Sequence, residues 1–192
     1  MKKKLIIIGT ILLCLVVIGI FLYSQDNIRF KISYEYVNLS EYSNGKKIKV
    51  KIPINNKVKY VGKNEVLELL KSGTGVIYFG YNTCPWCRNA VPILVDSVRE
   101  NKIDTLYYVD IHSVDISSIK NELYEILDPY LREDDEGNKR LSVPDVYVVK
   151  DGEIMGHHIG TVESYKNPYN GMSDEQKEEL KEIYNDLIKE IK

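Results

Sequence analysis

The apolar residues of this chain fall into one long uninterrupted run near the start and a series of shorter periodic segments after it. Residues 5–23 contain no charged side chain, and three lysines precede them. Nineteen helical residues extend about 28 Å, most of a hydrocarbon core that is roughly 30 Å thick. The pattern therefore predicts a transmembrane anchor at 5–23, a cytoplasmic tail at 1–4 and an extracytoplasmic remainder, because positive charge tends to stay inside.

Two alternatives to a retained anchor stay open, a cleaved signal peptide and a lipidated chain. A signal peptide would have a shorter apolar region and small residues at its cleavage site, whereas Leu22 stands two positions before Ser24. A lipoprotein site would place a small residue directly before its cysteine, whereas Leu13 precedes Cys14. In all three cases we expect the soluble part outside the cytoplasm, where disulfides persist.

The rest of the chain divides into a weakly patterned stretch and a regular one. Residues 24–56 are polar and contain the turn signal Asn44–Gly45, which predicts a stalk or a short β-extension. Strands are then predicted at 58–61, 76–80, 105–110, 146–149 and 153–159, and helices at about 66–72, 85–100, 116–127 and 173–191. This order predicts an α/β domain at 57–192 with a mixed central sheet flanked by helices.

The net charge and the number of cysteines limit the classes of function and of site that this chain could have. The net charge of −2 gives no argument for nucleic-acid binding, and we expect no nucleic-acid partner. Three cysteines are too few for a disulfide-stapled scaffold or a four-cysteine zinc site. Cys14 lies in the apolar run, so Cys84 and Cys87 form the pair in the soluble part. We expect neither a metal nor a cofactor beyond a redox-active disulfide between these two residues.

The cysteine pair stands where a predicted strand runs into a predicted helix. Unpaired N–H groups and the helix dipole at such a start favour a thiolate, so Cys84 is the predicted nucleophile. Pro85 suits the first helical turn. Cys87 lies one turn further along and is the predicted resolving thiol, close enough to attack a mixed disulfide on Cys84. The alternatives are half of a zinc site or two core cysteines.

Further motifs accompany the sequence Cys84-Pro-Trp-Cys87. Pro92 follows the second cysteine by five positions, and Val143–Pro144 opens a later strand. Gly152 lies in the hairpin turn after that strand, and Gly160 follows the return strand. With this combination, residues 57–192 resemble the thioredoxin superfamily. The resemblance implies a thioredoxin-like fold, a cis Pro144 that lies against the cysteines and contacts the substrate backbone, with Val143 in support, and thiol–disulfide oxidoreductase activity.

The segment 75–92 also resembles a group of membrane-anchored, extracytoplasmic thioredoxin-like proteins of Gram-positive bacteria, the bacteriocin transport accessory type. This resemblance implies that the partners are thiols or disulfides of exported proteins or peptides, together with a recharging redox partner. The direction of electron flow stays open. The alternative hypothesis is a non-enzymatic module of thioredoxin fold that binds an exporter or an exported peptide.

The chain departs from thioredoxin at several positions near the cysteines. Tyr78 stands where thioredoxins bury an aspartate, Leu106 where they carry the lysine paired with it, and Thr83 where an aromatic residue precedes the first cysteine. Asp145 follows the proline in place of a threonine-like residue. A buried carboxylate raises thiol pKa values. Its loss leads to the hypothesis that Cys84 is more acidic, and the couple more oxidising, than in thioredoxin. Tyr78 is most simply a core aromatic whose hydroxyl has a partner.

Four other features each allow two interpretations. Trp86 is either an apolar platform for an unfolded substrate or a ring that packs on a neighbouring loop. Adjacent His157 and His158 must face opposite sides of their strand, and we expect surface histidines, although one of them could approach the disulfide. Asp145 is either a proton acceptor near the cysteines or a strand-start aspartate. The charged loop 132–140 either borders the active face or is simply solvated.

Overall fold

A computed structural model of the chain describes residues 2–37 and 44–192. The helices are α1 (Lys2–Tyr23), α2 (Asp26–Ile32), α3 (Lys63–Ser72), α4 (Pro85–Glu100), α5 (Val114–Ser117), α6 (Lys120–Leu127) and α7 (Asp174–Lys189). The strands are β1 (Val58–Tyr60), β2 (Gly75–Gly80), β3 (Leu106–Asp110), β4 (Arg132–Glu133), β5 (Lys139–Arg140), β6 (Asp145–Lys150) and β7 (Glu153–Ile159). A π-helical turn, Ser33–Val37, continues α2, and a 3-10 turn, Asp128–Tyr130, continues α6.

Five strands form the central sheet in the order β1-β3-β2-β6-β7. The first three are parallel, with Val76 of β2 opposite Leu106 of β3. Strand β6 is antiparallel to β2, with Asp145 opposite Phe79, and β7 is antiparallel to β6. The mixed central sheet flanked by helices is therefore confirmed.

Alternation along the strands gives the sheet two different faces. The cysteine face, named for the cluster that contains Cys84 and Cys87, packs against α2, α4 and α7. The opposite face packs against α3 and α6. On the cysteine face lie Val76, Tyr78, Leu106, Tyr108, Val146 and Val148, and on the opposite face lie Ile77, Phe79, Val109, Tyr147 and Val149. Both faces are covered at the centre of the sheet, which explains why β2 is buried along its whole length.

The prediction of a stalk or β-extension at 24–56 is wrong in its secondary structure. Residues 26–37 are helical, and Phe30 and Tyr34 are fully buried in the core of the cysteine face. Residues 46–52 do alternate as the sequence suggested, with Ile48, Val50 and Ile52 buried and the lysines between them exposed. However, residues 48–53 lie in no strand. The period-two pattern here reflects burial against the domain and not pairing with its sheet. The positions 38–43 lie outside the described residues.

Two other segments differ from their predicted form. The predicted helix 116–127 is broken between α5 and α6, where the hydroxyls of Ser117 and Ser118 donate to nearby backbone carbonyls and compete with helix continuation. The predicted charged loop 132–140 contains the β4–β5 hairpin. Its turn is organised by the Asp134 carboxylate, which accepts the N–H groups of Glu136 and Asn138.

The apolar run forms helix α1, as predicted. Its window Ile6–Tyr23 has a mean hydropathy of 3.0, and none of this window is buried against the rest of the chain. A helix of this length and composition is suited to crossing a membrane, and a signal sequence near an N-terminus has the same properties. The capping box predicted at Ser173 and Gln176 is present at the start of α7, with both reciprocal hydrogen bonds.

Candidate active site

Cys84 occupies the N-cap of α4. Strand β2 ends at Gly80, and a short turn carries the chain to Pro85, the first residue of the helix. The backbone of Cys84 is extended, and its Sγ accepts the N–H of Cys87 at 3.2 Å. The sulfur thus takes the place of the serine or aspartate oxygen that usually caps a helix. The positive end of the helix dipole adds to the preference for negative charge on this sulfur.

The two thiols have opposite electrostatic environments. The side-chain hydrogen bond with Cys87 lowers the pKa of Cys84, and backbone N–H groups lower it further against the effect of burial. Burial raises the pKa of Cys87 well above its usual value, and the neighbouring Cys84 raises it further. Cys84 keeps 3% of its surface exposed, whereas Cys87 has none. An incoming sulfur therefore meets Cys84, the more acidic of the two free thiols.

Pro144 lies beside this pair. The Val143–Pro144 peptide bond is cis. The Cys84 Sγ is 3.8 Å from the carbonyl oxygen of Val143, so the segment before β6 contacts the thiol directly. The structure thus brings Cys84, Cys87, Val143 and Pro144 together. The substrate contact assigned to Pro144 stays a prediction.

A groove of about 940 Å³ begins at Trp86 and Val143. It continues along the edge strand β7 and the loop after it, past Ile159 and Lys166. Trp86 is half-buried, and its ring meets Tyr165 edge-on with centroids 5.6 Å apart. Trp86 therefore packs on a neighbouring loop and at the same time lines an open groove.

Tyr78 lies beneath the cysteine pair on the same face of the sheet. Its side chain is fully buried, and its hydroxyl is 3.0 Å from the hydroxyl of Tyr34. The Tyr78 hydroxyl and the Tyr81 backbone lower the pKa of Cys87 in opposition to burial. The expectation that the Tyr78 hydroxyl has a partner is confirmed. Tyr34 was missed because it belongs to the segment 24–56 and is separated from Tyr78 by 44 positions.

Arg88 was also missed. It follows Cys87 on α4, and its guanidinium is buried. It donates to the carbonyl oxygens of Tyr34 at 2.6 Å, Ile48 at 2.8 Å and Asn82 at 3.2 Å. Arg88 therefore fastens two parts of the N-terminal segment to the helix that carries the cysteines. An arginine at a predicted core position of a helix is the signal that would have identified it.

Asp145 lies on the opposite face of the sheet from the cysteines. It is fully buried, and burial raises its pKa. Its Oδ1 is 3.5 Å from the Nδ1 of His157, whose ring stacks on Tyr147. Because residues of a strand alternate between faces, the residue after Pro144 cannot share the face of Val146. The reading of Asp145 as a proton acceptor beside the cysteines is therefore wrong.

The two histidines face opposite sides of β7, as predicted. His157 lies on the opposite face, whereas His158 packs edge-on against Tyr184 on the cysteine face, and its Nε2 is 3.1 Å from the carbonyl oxygen of Thr161. Both are half-buried rather than surface residues. Burial lowers the pKa of His158.

Arg132 of the charged hairpin lines the same groove as Trp86, so one end of segment 132–140 does border the site. Within the described residues, no cluster of three or more histidine, cysteine, aspartate or glutamate side chains is arranged to hold a metal ion.

Three features of the structure agree with one fold. They are the strand order with one antiparallel edge, the cysteine pair at the start of α4, and the cis proline that faces the pair. The fold is thioredoxin-like. Solved structures similar to this chain include thioredoxin O2 from Arabidopsis thaliana in its oxidized state, with 19% identity and a TM-score of 0.41, covering 56% of this chain and 85% of that one. Thioredoxin O1 from the same plant, also oxidized, has 23% identity and a TM-score of 0.41, covering 56% and 89%.

No family model and no curated protein matches the chain. The thioredoxin-like description therefore rests on the strand order and the site geometry of this chain itself.

Proposed function

We propose that this chain is a membrane-anchored thiol–disulfide oxidoreductase that acts on exported proteins or peptides outside the cytoplasm. The observation that carries the proposal is the position of the Cys84 sulfur, which caps a helix, is hydrogen-bonded by Cys87 N–H, and lies next to a second, less acidic thiol. Two structural core cysteines would not need such unequal environments.

The reaction needs two exchanges. The Cys84 thiolate attacks one sulfur of a substrate disulfide, forms a mixed disulfide, and releases the other substrate sulfur as a thiolate that takes up a proton. Cys87 then loses its proton and attacks the Cys84 Sγ. The Cys84–Cys87 disulfide forms, the bond to the substrate breaks, and the second substrate sulfur leaves with the electron pair. Two electrons pass to the substrate, and the reverse sequence would oxidise a substrate dithiol.

The groove beside Trp86 and Val143 supports a polypeptide substrate. It is open, borders the edge strand β7, and is lined by Val143, whose carbonyl oxygen contacts Cys84. An extended peptide in such a groove presents backbone groups to the protein on one side and its own cysteine to the nucleophile. Helix α1 is suited to hold this site at a membrane surface. A separate redox partner, which recharges the pair, completes the cycle.

The decisive experiment is a turnover assay with the full-length chain in detergent, in which reduction of insulin disulfides by a chemical reductant is followed with and without the protein. We expect turnover from the parent chain, none from Cys84→Ser, and parental turnover from Cys14→Ser, the matched control. Cys87→Ser should accumulate mixed disulfides in cells and so reveal substrates and the recharging partner. Equal inertness of the parent chain and Cys84→Ser would reject the enzyme and favour a binding module.

The redox potential tests the more specific hypothesis of an oxidising couple. We expect equilibration against a glutathione buffer to give a value above that of thioredoxin, which is about −270 mV. A value as low as that of thioredoxin would reject the hypothesis, although it would leave the exchange reaction in place.

A further inference from the structure

The apolar helix α1 joins the rest of the chain through a very short link. Tyr23 ends α1 and Asp26 begins α2, and even a fully extended link between them would span only about 11 Å. The backbone does not use that reach, because the N–H of Ser24 still donates to the carbonyl oxygen of Ile20 at 3.0 Å. Helix α1 therefore enters the domain without a long linker.

Hydrogen bonds fasten the first turn of α2 to the domain. The Asp26 carboxylate accepts the N–H of Tyr60 in β1 at 3.0 Å. The Asn27 side chain donates to the carbonyl oxygen of Ile54 at 2.7 Å, and the carbonyl oxygen of Asn27 accepts a side-chain N–H of Asn56 at 2.8 Å. The point at which the chain leaves α1 is therefore fixed relative to the sheet.

This point lies at the end of the sheet that is opposite the cysteines. Ser24 lines a surface pocket together with Val58, the first residue of β1, and Thr105, which precedes β3. Strands β1, β2 and β3 are parallel, so their first residues share one end of the sheet, here called the anchor end. Cys84 follows the last residue of β2 at the other end, the cysteine end, and β2 alone spans about 16 Å. None of the apolar window of α1 is buried against the rest of the chain, so α1 does not fold back over the domain.

An exposed isoleucine stands at the anchor end. Ile54 lies in the turn before β1 and keeps 63% of its surface exposed, while its carbonyl oxygen is held by Asn27 of α2. Single exposed isoleucines are common on protein surfaces, but this one is hydrogen-bonded to the segment that directly follows α1. At that level an apolar side chain gains free energy by entering the boundary between lipid headgroups and acyl chains. The neighbouring pocket is lined by polar groups such as Asn55 and Lys57, which suit the hydrated headgroup layer.

We propose that the anchor end of the domain rests on the membrane surface, with the Ile54 side chain in the interfacial layer, and that the cysteine end faces away from the bilayer. The inference rests on the proposed function, because it takes α1 as a retained anchor. It also restricts the partners of that function. A thiol or disulfide that exchanges with Cys84 must approach from the side away from the bilayer, so the partners are soluble exported chains or extracytoplasmic domains and not thiols embedded in the membrane.

The single tryptophan of the chain, Trp86, lines the groove at the cysteine end and provides a direct test. The full-length chain is reconstituted into vesicles of phosphatidylcholine and phosphatidylglycerol, with and without lipids that carry a nitroxide on the headgroup. A nitroxide quenches tryptophan fluorescence only at short range, and its presence in both leaflets makes the result independent of the direction of insertion. We expect the emission of Trp86 to be the same with and without nitroxide lipids.

Two variants of the Trp86→Phe chain move the tryptophan to either end of the sheet. Ile54→Trp places it at the anchor end. The matched control is Val114→Trp, because Val114 is also aliphatic and is 87% exposed. Val114 follows β3 at the cysteine end, where the ring of His112 stacks on Tyr81 with centroids 4.0 Å apart. We expect nitroxide lipids to remove most of the emission of Ile54→Trp and none of the emission of Val114→Trp.

Quenching of Trp86 in the parent chain would overturn the inference, and so would the same loss of emission, or none, in both Ile54→Trp and Val114→Trp. Insulin turnover by the parental vesicles is measured in parallel, which separates this inference from the proposed activity. Turnover with a quenched Trp86 would reject the orientation and leave the activity standing. The expected quenching without turnover would reject the activity and support the orientation. Recovery of the chain from cells without α1 would reject the anchor and the orientation together.

Discussion

The two faces of the central sheet bury different kinds of polar groups. On the cysteine face, Tyr34 and Tyr78 pair their hydroxyls within the core cluster that also contains Cys87. On the opposite face, Asp145 lies buried at a loose 3.5 Å from His157. The first arrangement contains groups that stay neutral near pH 7 and share hydrogen bonds, whereas the second contains a carboxylate whose oxygens have no hydrogen-bond partner among the described residues.

This difference indicates where proton handling can occur. Both clusters stand at the same end of the sheet, because Phe79 of β2 pairs with Asp145 of β6. Strand alternation nevertheless turns Asp145 away from the cysteines and Tyr78 towards them. Within these two described strands, the polar side chain on the cysteine face is thus Tyr78, and no carboxylate lies there. The carboxylate on the opposite face is expected to affect stability, and the hydroxyls on the cysteine face are expected to affect disulfide exchange.

The largest expected effect concerns the attachment of the N-terminal segment to the cysteine face. Arg88→Met would leave the carbonyls of Tyr34 and Ile48 without this donor in the core, which should lower the free energy of unfolding by about 3 kcal/mol. Arg99→Met, on the same helix but with a half-exposed ion pair to Asp96, should cost less than about 0.5 kcal/mol. Urea unfolding of the full-length chain measures both. Equal costs would show that Arg88 does not fasten the segment.

The next effect tests whether the Tyr78 hydroxyl really needs the space above Gly80. A Cβ there would clash with the hydroxyl and ring of Tyr78, so Gly80→Ala should destabilise the chain by about 2 kcal/mol and displace the tyrosine. The matched variant is Gly156→Ala, whose Cβ would meet the far end of the flexible Leu187 side chain at 2.8 Å. We expect a smaller loss there. A slower attack by Cys87 in Gly80→Ala but not in Gly156→Ala would show that the position of Tyr78 affects disulfide exchange. Identical rates in the two variants would show that it does not.

A smaller, pH-dependent effect is expected on the opposite face. Burial raises the pKa of Asp145, so the folded chain keeps this proton to higher pH than the unfolded chain does. Its contribution to stability therefore falls as pH rises above about 3.9, the unfolded value. Asp145→Asn should gain stability relative to the parent chain between about pH 4 and pH 7, with unchanged exchange rates. Unfolding curves across this pH range measure the change in stability, and the insulin turnover assay measures exchange. A loss of disulfide exchange in Asp145→Asn would contradict this expectation, because it would show that Asp145 affects the cysteines from the opposite face of the sheet.

The smallest expected effect has the opposite sign and lies on the cysteine face. Burial lowers the pKa of His158, so the unfolded chain binds this proton at higher pH than the folded chain does. The stability that depends on neutral His158 is present above about pH 6.5 and is lost as pH falls below it. His158→Gln should therefore reduce the fall in unfolding free energy between about pH 6.5 and pH 5. An unchanged slope would show that His158 does not contribute to acid sensitivity.

Much of the fold could be predicted because the residues that begin its helices and strands are close together in the sequence. Helix α4 was predicted to start at Pro85 and does so, since a proline suits the first turn and Cys84 can cap it. The capping box at Ser173 likewise marks the start of α7. The helical form of 26–37 was not predictable in this way. Its period is weak, and the burial of Phe30 and Tyr34 against a distant sheet outweighs local propensity there.

The sequence by itself determined the anchor-like helix, the order of the five strands of the central sheet with helices α3, α4 and α7, and the two cysteines one helical turn apart, because each depends on residues close together in the chain. Only the tertiary structure decided that Tyr34 touches Tyr78, that Arg88 joins α4 to the N-terminal segment, and that Asp145 faces away from Cys87. These are contacts between segments tens of residues apart. They depend on which face each helix covers, and no local period encodes that choice.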